Sequence, residues 1–375
     1  MPTTPERPKA VAKRPKAAAR RARTAQPASR APAAKGRRVE VKRINLALQG
    51  GGAHGAFTWG VLDRLLEDER IAIGGISGTS AGAMNGAVFV QGWDADGRQG
   101  AKRALERFWR RISEAGRWGP IQRTPLDRAF GGWSLDTSPF YLAFDFFSRL
   151  LSPYQYNPSN YHPLRAILDE QIDFARIKHC EEVKLFVCAT NVLSGKVRIF
   201  QHEELSTDAL LASACLPFLF QAIEIDGEPY WDGGYMGNPA LFPLIYHTDV
   251  TDLVVVQINP IKRDRAPRTA PEILNRVNEI SFNATLNREV RAIAFIHKLI
   301  QQENLDPKKY KRMNLHMIES EEQMKSLGVS SKLNADWDFL LHLKGIGRQA
   351  AEDWLARNFD RIGRETTIDL ADKFL

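Results

Sequence analysis

Cysteine is scarce in this chain, with Cys180, Cys188 and Cys215 as the three cysteines among 375 residues. No pair of them has the CxxC or Cys/His spacing of a zinc site, so no metal site of this kind is expected. Cys188 and Cys215 lie within apolar runs, where cysteine usually acts as a small hydrophobic side chain. The length of the chain excludes a small fold held together by disulfides, and the cysteine usage favours a reducing compartment.

Long apolar runs are also missing. No stretch of about 18 apolar residues exists, and the positively charged N-terminus is not followed by an apolar segment. These absences predict neither a membrane span nor a secretory signal, and we expect a cytoplasmic protein that is not secreted. No Asp-rich loop of the EF-hand type is present, so calcium is not implied.

Acidic residues are rare in the N-terminal segment 1–43, which has fourteen Lys and Arg against only Glu6 and Glu40. The rest of the chain has 38 basic and 42 acidic residues, so the net charge of +8 comes from this segment. Because it is rich in Ala and Pro and has almost no large apolar side chains, we predict a disordered tail. It would attach to an anionic membrane or granule surface or, less readily, to nucleic acid. A passive solubilising tail and an arginine-rich transit peptide are the alternatives.

The chain from residue 44 onward predicts a folded α/β domain. A short apolar strand at 44–48 runs into a glycine loop, and an amphipathic helix follows at 57–66. A second strand at 71–76 leads through a turn into a helix at 81–91. This order predicts a three-layer α/β/α fold with a central, mostly parallel sheet.

The later part of the chain alternates between strand-like and helical patterns. Strands are predicted at 184–190, 196–200, 253–258 and 314–318, a hairpin at 223–231, and helices at 206–215, 272–303 and 336–360. The hairpin turns at Asp226-Gly227 and delivers Asp232 at its end.

An irregular segment at 116–163 follows an amphipathic helix predicted at 98–115. It contains the most apolar aromatic run of the chain, at 140–151, which has two interpretations. A long insertion beside a site often forms a lid or, here, a lipid-facing wall. An ordinary core helix is the alternative, which the apolar pattern favours.

Two glycine-rich turns carry the predicted chemistry. Gly78-Thr79-Ser80-Ala81-Gly82 follows the second strand and forms a Gly-x-Ser-x-Gly nucleophile elbow, which exposes Ser80 for acyl transfer. The small residues around Ser80 permit the close approach of strand and helix that an elbow needs. The earlier turn, residues 50–55, offers bare backbone amides that would hold negative charge.

The glycine loop also fits a second chemistry. Gly50-x-Gly52-x-x-Gly55, with acidic residues at 67–69, matches the dinucleotide-binding fingerprint. That fingerprint expects its acid at the tip of the second strand, where this chain has Ser77 to Ser80 instead. The dinucleotide interpretation is therefore the weaker one. A Walker A loop is excluded because no Gly-Lys-Ser/Thr follows the glycines.

A serine nucleophile requires a base, and the residues leave two options. A Ser-His-Asp triad would use a downstream histidine, and the candidates, none in a recognisable motif, are His202, His247, His297, His316 and His342. Asp232 acting directly is the other option. It ends the predicted hairpin, and Gly233-Gly234 leave the backbone free to bring its carboxylate against a neighbouring loop.

These motifs together resemble those of the patatin-like phospholipases. The family pattern is a Gly-Gly-Gly-x-basic-Gly oxyanion loop, a Gly-x-Ser-x-Gly elbow and a distant Asp-Gly-Ala or Asp-Gly-Gly. Residues 50–55, 78–82 and 232–234 match these three motifs in order. The resemblance covers about residues 44–247.

The resemblance implies that Ser80 is the nucleophile and Asp232 the general base, without a catalytic histidine, metal or cofactor. Backbone amides would stabilise the oxyanion, chiefly those around Gly51, Gly52 and Ala53. His54 stands where the family often has arginine or lysine. If its charge assists the oxyanion, rather than its side chain orienting the loop, activity would depend on pH near neutrality. The predicted site residues are Ser80, Asp232, Gly50, Gly51, Gly52, Ala53, His54, Gly55, Gly78, Thr79, Ala81, Gly82, Gly233 and Gly234.

The sequence thus predicts a lipid acyl hydrolase, of phospholipase A or carboxylesterase type, that works through an acyl-serine intermediate. Phospholipid, neutral lipid and polyester substrates stay open, as does the oligomeric state. A lipid-binding or granule-binding scaffold that keeps the fold without the activity is the competing class. We expect the catalytic domain at 44–247, followed at 248–375 by the last strand or strands of the sheet and a C-terminal helical extension. Whether 248–375 is a separate domain or a helical layer over the sheet stays open.

Overall fold

The fold is described from a computed structural model. The residues it describes are 40–119, 122–124, 127–128, 132–136, 138–302 and 310–374. The predicted tail therefore lies outside the described residues up to residue 39. Within them, no helix combines the length and the apolar character that a membrane span requires.

A central sheet organises residues 40–374. The strands that form it are β1 Lys42–Leu48, β2 Ile71–Gly78, β3 Lys184–Asn191, β4 Val197–Gln201, β5 Ile223–Ile225, β6 Glu228–Asp232, β7 Asp252–Val256 and β8 Asn314–Ile318. Their order is β5-β6-β3-β2-β1-β7-β8, with β4 also paired to β3. β3, β2, β1, β7 and β8 run parallel, whereas β4 and β6 are antiparallel to β3.

Helices cover both faces of this sheet. They are α1 Gly55–Leu65, α2 Ala81–Arg117, α3 Pro139–Leu150, α4 Pro153–Tyr156, α5 Pro163–Gln171, α6 Phe174–His179, α7 Thr207–Ser213, α8 Phe242–His247, α9 Ala270–Gln302, α10 Glu321–Lys325, α11 Trp337–Asn358 and α12 Leu370–Phe374. Strand β7 illustrates the layering, because Val254 and Val256 pack in one buried cluster while Leu253 and Val255 pack in another. Alternate side chains of a strand point to opposite faces, so both faces are buried. The predicted α/β class is confirmed.

Most predicted elements occupy the expected positions. The strand predicted at 314–318 is β8, and the hairpin with its turn at Asp226-Gly227 is β5 and β6. The helices predicted at 81–91 and 98–115 are the two parts of α2, which is interrupted at Asp96 and at Gly97 with φ +50°.

The C-terminal third is built into the same sheet rather than standing apart. Strands β7 and β8 extend the sheet from β1. Helix α11 packs closely on α1, since a Cβ added to Gly60 would lie 2.0 Å from the carbonyl oxygen of Lys344. Only glycine permits this approach of the two helix backbones.

The aromatic run of the insertion forms helix α3 on the surface. Phe140 is 66% exposed and Phe146 is 59% exposed, with Phe147 and Leu150 exposed to a similar degree. The interpretation of this run as an ordinary core helix is therefore wrong. The apolar residues of α3 recur at helical spacing, but no element of the described chain covers that face.

Candidate active site

The turn from β2 to α2 places Ser80 in a strained backbone conformation. Ser80 has φ +53° and ψ −121°, a region that residues with a side chain rarely adopt. Its backbone amide donates to Ser213 Oγ at 2.9 Å, and its carbonyl accepts the amide of Met84 at 3.0 Å. A Cβ on Gly82 would lie 2.2 Å from the Leu48 carbonyl oxygen, so the elbow requires glycine there. This geometry is typical of a nucleophile elbow.

Two side chains that precede Ser80 connect the elbow to the loop after β6. Thr79 Oγ1 donates to the Gly237 carbonyl and Ser77 Oγ donates to the Ala240 carbonyl, both at 2.6 Å. Both hydroxyls are buried. The elbow and the loop that carries Asp232 are therefore held in one unit.

Asp232 is the last residue of β6, and its carboxylate is fixed by the following turn. Its Oδ1 accepts the amide of Gly234 at 2.7 Å, while its own amide donates to the Cys215 carbonyl at 2.8 Å. A Cβ on Gly233 would lie 2.1 Å from the Cys188 carbonyl oxygen, which explains glycine at that position. Asp232 is 4% exposed.

The structure brings Ser80 and Asp232 together. Burial raises the pKa of Asp232 from 3.8 to about 7, and the Gly234 amide, the Ser80 hydroxyl and the Lys332 ammonium each lower it in part. The Ser80 hydroxyl and the Asp232 carboxylate thus interact, although no short hydrogen bond joins them in the described part of the chain. Such bonds are often long in enzymes without substrate and tighten when substrate binds.

The glycine loop lies directly beside Ser80. A Cβ on Gly50 would be 2.9 Å from Ser80 Cβ, so a side chain there would push the loop away. The Gly50 amide is already used, because it donates to Asn238 Oδ1 at 2.7 Å. Gly52 has φ +59° and begins a 3-10 turn, Gly52–His54, that leads into α1.

Three amides of this loop have no hydrogen-bond acceptor among the described residues. The His54 amide donates to the Gly51 carbonyl, and the Gly55 amide donates to carbonyls of the same turn. Within the described part of the chain, no acceptor is found for the amides of Gly51, Gly52 and Ala53. These three, of the six loop residues predicted, are available to an oxyanion.

His54 turns its side chain into the protein rather than toward Ser80. Its Nε2 lies 2.8 Å from Ser331 Oγ, and that hydroxyl donates its one hydrogen to the Gly328 carbonyl at 2.7 Å. His54 Nε2 must therefore be the donor of the pair. Burial, and secondarily the nearby Lys332, lower the pKa of His54 well below 6.5. The imidazole is neutral near pH 7 and anchors the glycine loop to the C-terminal region.

The downstream histidines whose partners the structure gives are engaged elsewhere. His316 is fully buried, with Nε2 3.0 Å from Asp252 Oδ1 and Nδ1 2.9 Å from Thr367 Oγ1. His342 stacks on Trp133 and His247 on Phe186. Among the described residues, no histidine hydrogen-bonds Ser80 or Asp232.

The acidic residues of the dinucleotide fingerprint lie away from the glycine loop. Glu67 follows the C-terminal end of α1, whereas the loop precedes its N-terminal end, about 16 Å away for a helix of this length. Glu67 pairs with Arg348 and Lys102, and Asp68 pairs with Arg70. The tip of β2 carries Ser80 and no acid, so this interpretation has no support in the structure.

A cavity of about 640 Å³ lies beside the segment that carries Asp232. Trp231 and Tyr235, which flank Asp232 in the chain, line one side of it, and Leu150, Leu151 and Phe218 line another. The exposed end of α3 thus borders the cavity. In the part of the chain described, no group of three His, Cys, Asp or Glu side chains could hold a metal ion.

Several residues of this arrangement lie outside the predicted motifs. Asn238 lies in the loop after Asp232 and could have been suspected from its position. Gln49 Oε1 accepts the amides of Ile258 and Asn259 at 2.9 Å, which fixes the end of β1. Ser331 and Lys332 reach the glycine loop from nearly 280 positions further along the chain, and no motif marks them.

Comparison with known proteins gives a family match over the region that carries these motifs. A family model described as patatin-like phospholipase matches residues 46–245. The lysophospholipase NTE1 of Phaeosphaeria nodorum is 35% identical over 101 residues, which are 27% of this chain and 6% of that protein. The lysophospholipase nte1 of Aspergillus terreus is 28% identical over 202 residues, or 54% of this chain and 11% of that protein. The match thus spans about a tenth or less of the length of these curated relatives.

Solved structures resemble this chain at low sequence identity. VipD from Legionella pneumophila has a TM-score of 0.35 and 16% identity, over 82% of this chain and 67% of that chain. ExoU of Pseudomonas aeruginosa, in complex with SpcU, has a TM-score of 0.30 and 13% identity, over 84% of this chain and 53% of that chain. Similarity of this degree does not inform the roles of individual residues.

Proposed function

Because the chain belongs to the patatin-like phospholipase family, we propose that it hydrolyses carboxylic esters of lipids through a dyad of Ser80 and Asp232. The observation that carries the proposal is the buried Asp232 carboxylate interacting with a serine at a strained elbow. The amides of Gly51, Gly52 and Ala53 beside that serine, which have no acceptor within the described residues, also support it.

Acylation would begin with proton transfer from Ser80 Oγ to the Asp232 carboxylate. The Oγ–carbon bond forms as the carbonyl electron pair moves to its oxygen, and the resulting oxyanion accepts hydrogen bonds from Gly51, Gly52 and Ala53. Collapse of this intermediate breaks the bond to the alcohol, which takes the proton from Asp232. Water then attacks the acyl-serine by the same route, with Asp232 again acting first as base and then as acid.

The environment of Asp232 suits this double role. A general base works best when its pKa lies near the operating pH, and burial raises the pKa of Asp232 to about 7. Asp232 must be ionised to accept the serine proton. We therefore expect activity to rise as the pH increases through about 7.

The surface around the cavity suits a substrate with a long apolar chain. Helix α3 exposes Phe140, Phe146 and Leu150, and Leu150, at its C-terminal end, lines the cavity together with Phe218. Exposed apolar patches of this kind often mark lipid or membrane contact. Since the curated relatives are named lysophospholipases, a lysophospholipid is the first substrate to test.

The proposed catalytic unit extends beyond the predicted domain at 44–247. That segment carries Ser80, Asp232 and the glycine loop, whereas 248–375 adds β7 and β8 to the sheet and contributes Ser331 as the partner of His54. Attachment of the basic tail to an anionic surface and a cytoplasmic location stay predictions. Salt-dependent binding to anionic vesicles, with and without residues 1–39, measures the first.

The test of the function compares Ser80→Ala with a matched control. Ser194→Ala removes an exposed hydroxyl in the turn between β3 and β4 and should leave turnover unchanged. Ser80→Ala should abolish release of fatty acid from a lysophospholipid and of p-nitrophenol from a short ester. Equal rates in Ser80→Ala and the parent protein would reject the proposal and favour the lipid-binding scaffold.

A further inference from the structure

Lys332, which has no salt-bridge partner among the described residues, lies against the glycine loop. Lys332 is part of the 3-10 turn Ser330–Leu333, outside the residues that the family model matches. Its backbone packs on Gly52, because a Cβ on that glycine would lie 2.5 Å from the Lys332 carbonyl oxygen. The backbone of Lys332 is thus in direct contact with the glycine loop that lies beside Ser80.

The ammonium group of Lys332 is held over the same loop by one neutral side chain. Its Nζ donates to Asn259 Oδ1 at 2.9 Å, and Asn259 Nδ2 donates in turn to the Gly50 carbonyl at 3.0 Å. Gly50 is the loop residue that lies against Ser80. Lys332 is half-buried, so part of its side chain stays accessible.

The acidic groups near Lys332 do not neutralise it. Glu279 interacts with it electrostatically, but the Glu279 carboxylate is bound by Arg263 and by Arg276, the latter at 3.1 Å. Within the described residues, no carboxylate lies within salt-bridge distance of Lys332 Nζ. By contrast, Lys325 of the same C-terminal region has Asp264 within 3.4 Å.

A half-buried ammonium without a counter-ion is costly, because burial disfavours the charged form. Desolvation lowers the pKa of Lys332, while Asp232 is among the groups that raise it. Reciprocally, Lys332 is one of the groups that lower the pKa of Asp232. The Lys332 ammonium therefore interacts electrostatically with the candidate dyad. An anion bound next to this ammonium would supply the counter-ion that it lacks among the described residues.

We propose that the Lys332 ammonium binds an anionic oxygen of the substrate beside the glycine loop. The inference rests on the proposed function, since it concerns the ester held at Ser80. Two oxygens have the required chemistry: the oxyanion that forms from any ester, and the phosphate of a phospholipid headgroup. Lys332 would in either case be a binding residue contributed by the C-terminal region.

The experiment compares Lys332→Met with the control Lys325→Met on two substrates that share an acyl chain. One is a lysophospholipid, which has a phosphate, and the other is a monoacylglycerol, which has none. A charged hydrogen bond of this kind corresponds to a loss of about tenfold to a hundredfold in kcat/KM. Loss on both substrates assigns the oxyanion, and loss on the lysophospholipid alone assigns the headgroup phosphate.

A second readout separates charge binding from a structural role. Removal of the Lys332 ammonium should raise the pKa of Asp232, so the acid limb of the pH profile should move to higher pH in Lys332→Met and stay in place in Lys332→Arg. The groups that face Asp232 and share its electrostatic environment are Ser80, Cys188, Cys215, Tyr235 and Lys332. Lys332→Arg should keep most of the activity, because it keeps the charge.

Unchanged kcat/KM of Lys332→Met on both substrates, with the pH profile in place, would overturn the inference. Should that variant fail to fold, Lys332→Gln keeps a donor for Asn259 and is judged by the same criteria. The proposed function is tested separately, because parent turnover that disappears in Ser80→Ala stands whatever the Lys332 variants do.

Discussion

Asp232→Asn should inactivate the protein and stabilise its fold at the same time. Burial raises the pKa of Asp232 from 3.8 to about 7, so above pH 7 the folded protein holds a carboxylate that the unfolded chain ionises far more easily. Each pKa unit corresponds to 1.36 kcal/mol, which gives a cost of about 4 kcal/mol at pH 8. The neutral Asn keeps an oxygen for the Gly234 amide and removes this cost.

The sign of the effect depends on pH. Below pH 3.8 the carboxyl group is protonated in both the folded and the unfolded states, so Asp and Asn should give the same stability. As the pH rises toward 7 the unfolded chain ionises while the folded protein stays protonated, and the advantage of Asn grows. It levels off above pH 7. For a folded region of this size, about 4 kcal/mol corresponds to a rise in Tm of roughly 6 °C.

Two measurements check this prediction. Calorimetry should show a much larger gain in Tm for Asp232→Asn at pH 8 than at pH 4, and turnover of a soluble ester should fall by about 10²- to 10⁴-fold. Asp226→Asn, at the exposed turn between β5 and β6, is the matched control and should change neither quantity. Turnover at the parent rate would show that Asp232 is not the base. A Tm difference that is equal at both pH values would refute the ionisation argument.

Two further predictions concern the glycine loop and the surface helix. Gly52→Ala should lose at least about tenfold in kcat, because a side chain there is strained at φ +59° and would collide with the Lys332 carbonyl. Gly227→Ala, with φ +79° and open space around it, is the control and should keep activity; equal turnover in the two variants would contradict this prediction. Replacing the exposed Phe146 and Phe147 of α3 by Ser removes apolar surface that would contact lipid. Turnover of vesicle-bound lipid should fall by about tenfold, while turnover of a soluble ester should stay unchanged. An equal loss on both substrates would instead indicate damage to the fold.

Much of the fold follows from local pattern. β1, the glycine loop and α1 are consecutive in the chain, and so are β2, the elbow and the start of α2. Hydrophobic periodicity and small residues determine such units within about ten residues. The same pattern misjudged α3, because its apolar spacing is that of a buried helix while its burial depends on which elements lie nearby. Periodicity indicates that a helix has an apolar face, not whether another element covers it.

The candidate site also has features that local sequence determines and features that only the tertiary structure determines. Short sequence motifs identify Ser80, Asp232 and the glycines around them. Each motif reflects steric requirements that act within a few residues of the chain. Other properties of the site depend on burial and on contacts between distant segments. These are the pKa of Asp232, the neutral state of His54 and the position of Lys332 beside the glycine loop. His54 and its partner Ser331 are 277 positions apart. Desolvation and the electrostatic field act through space, so only the tertiary structure decided which amides, protons and charges surround the serine.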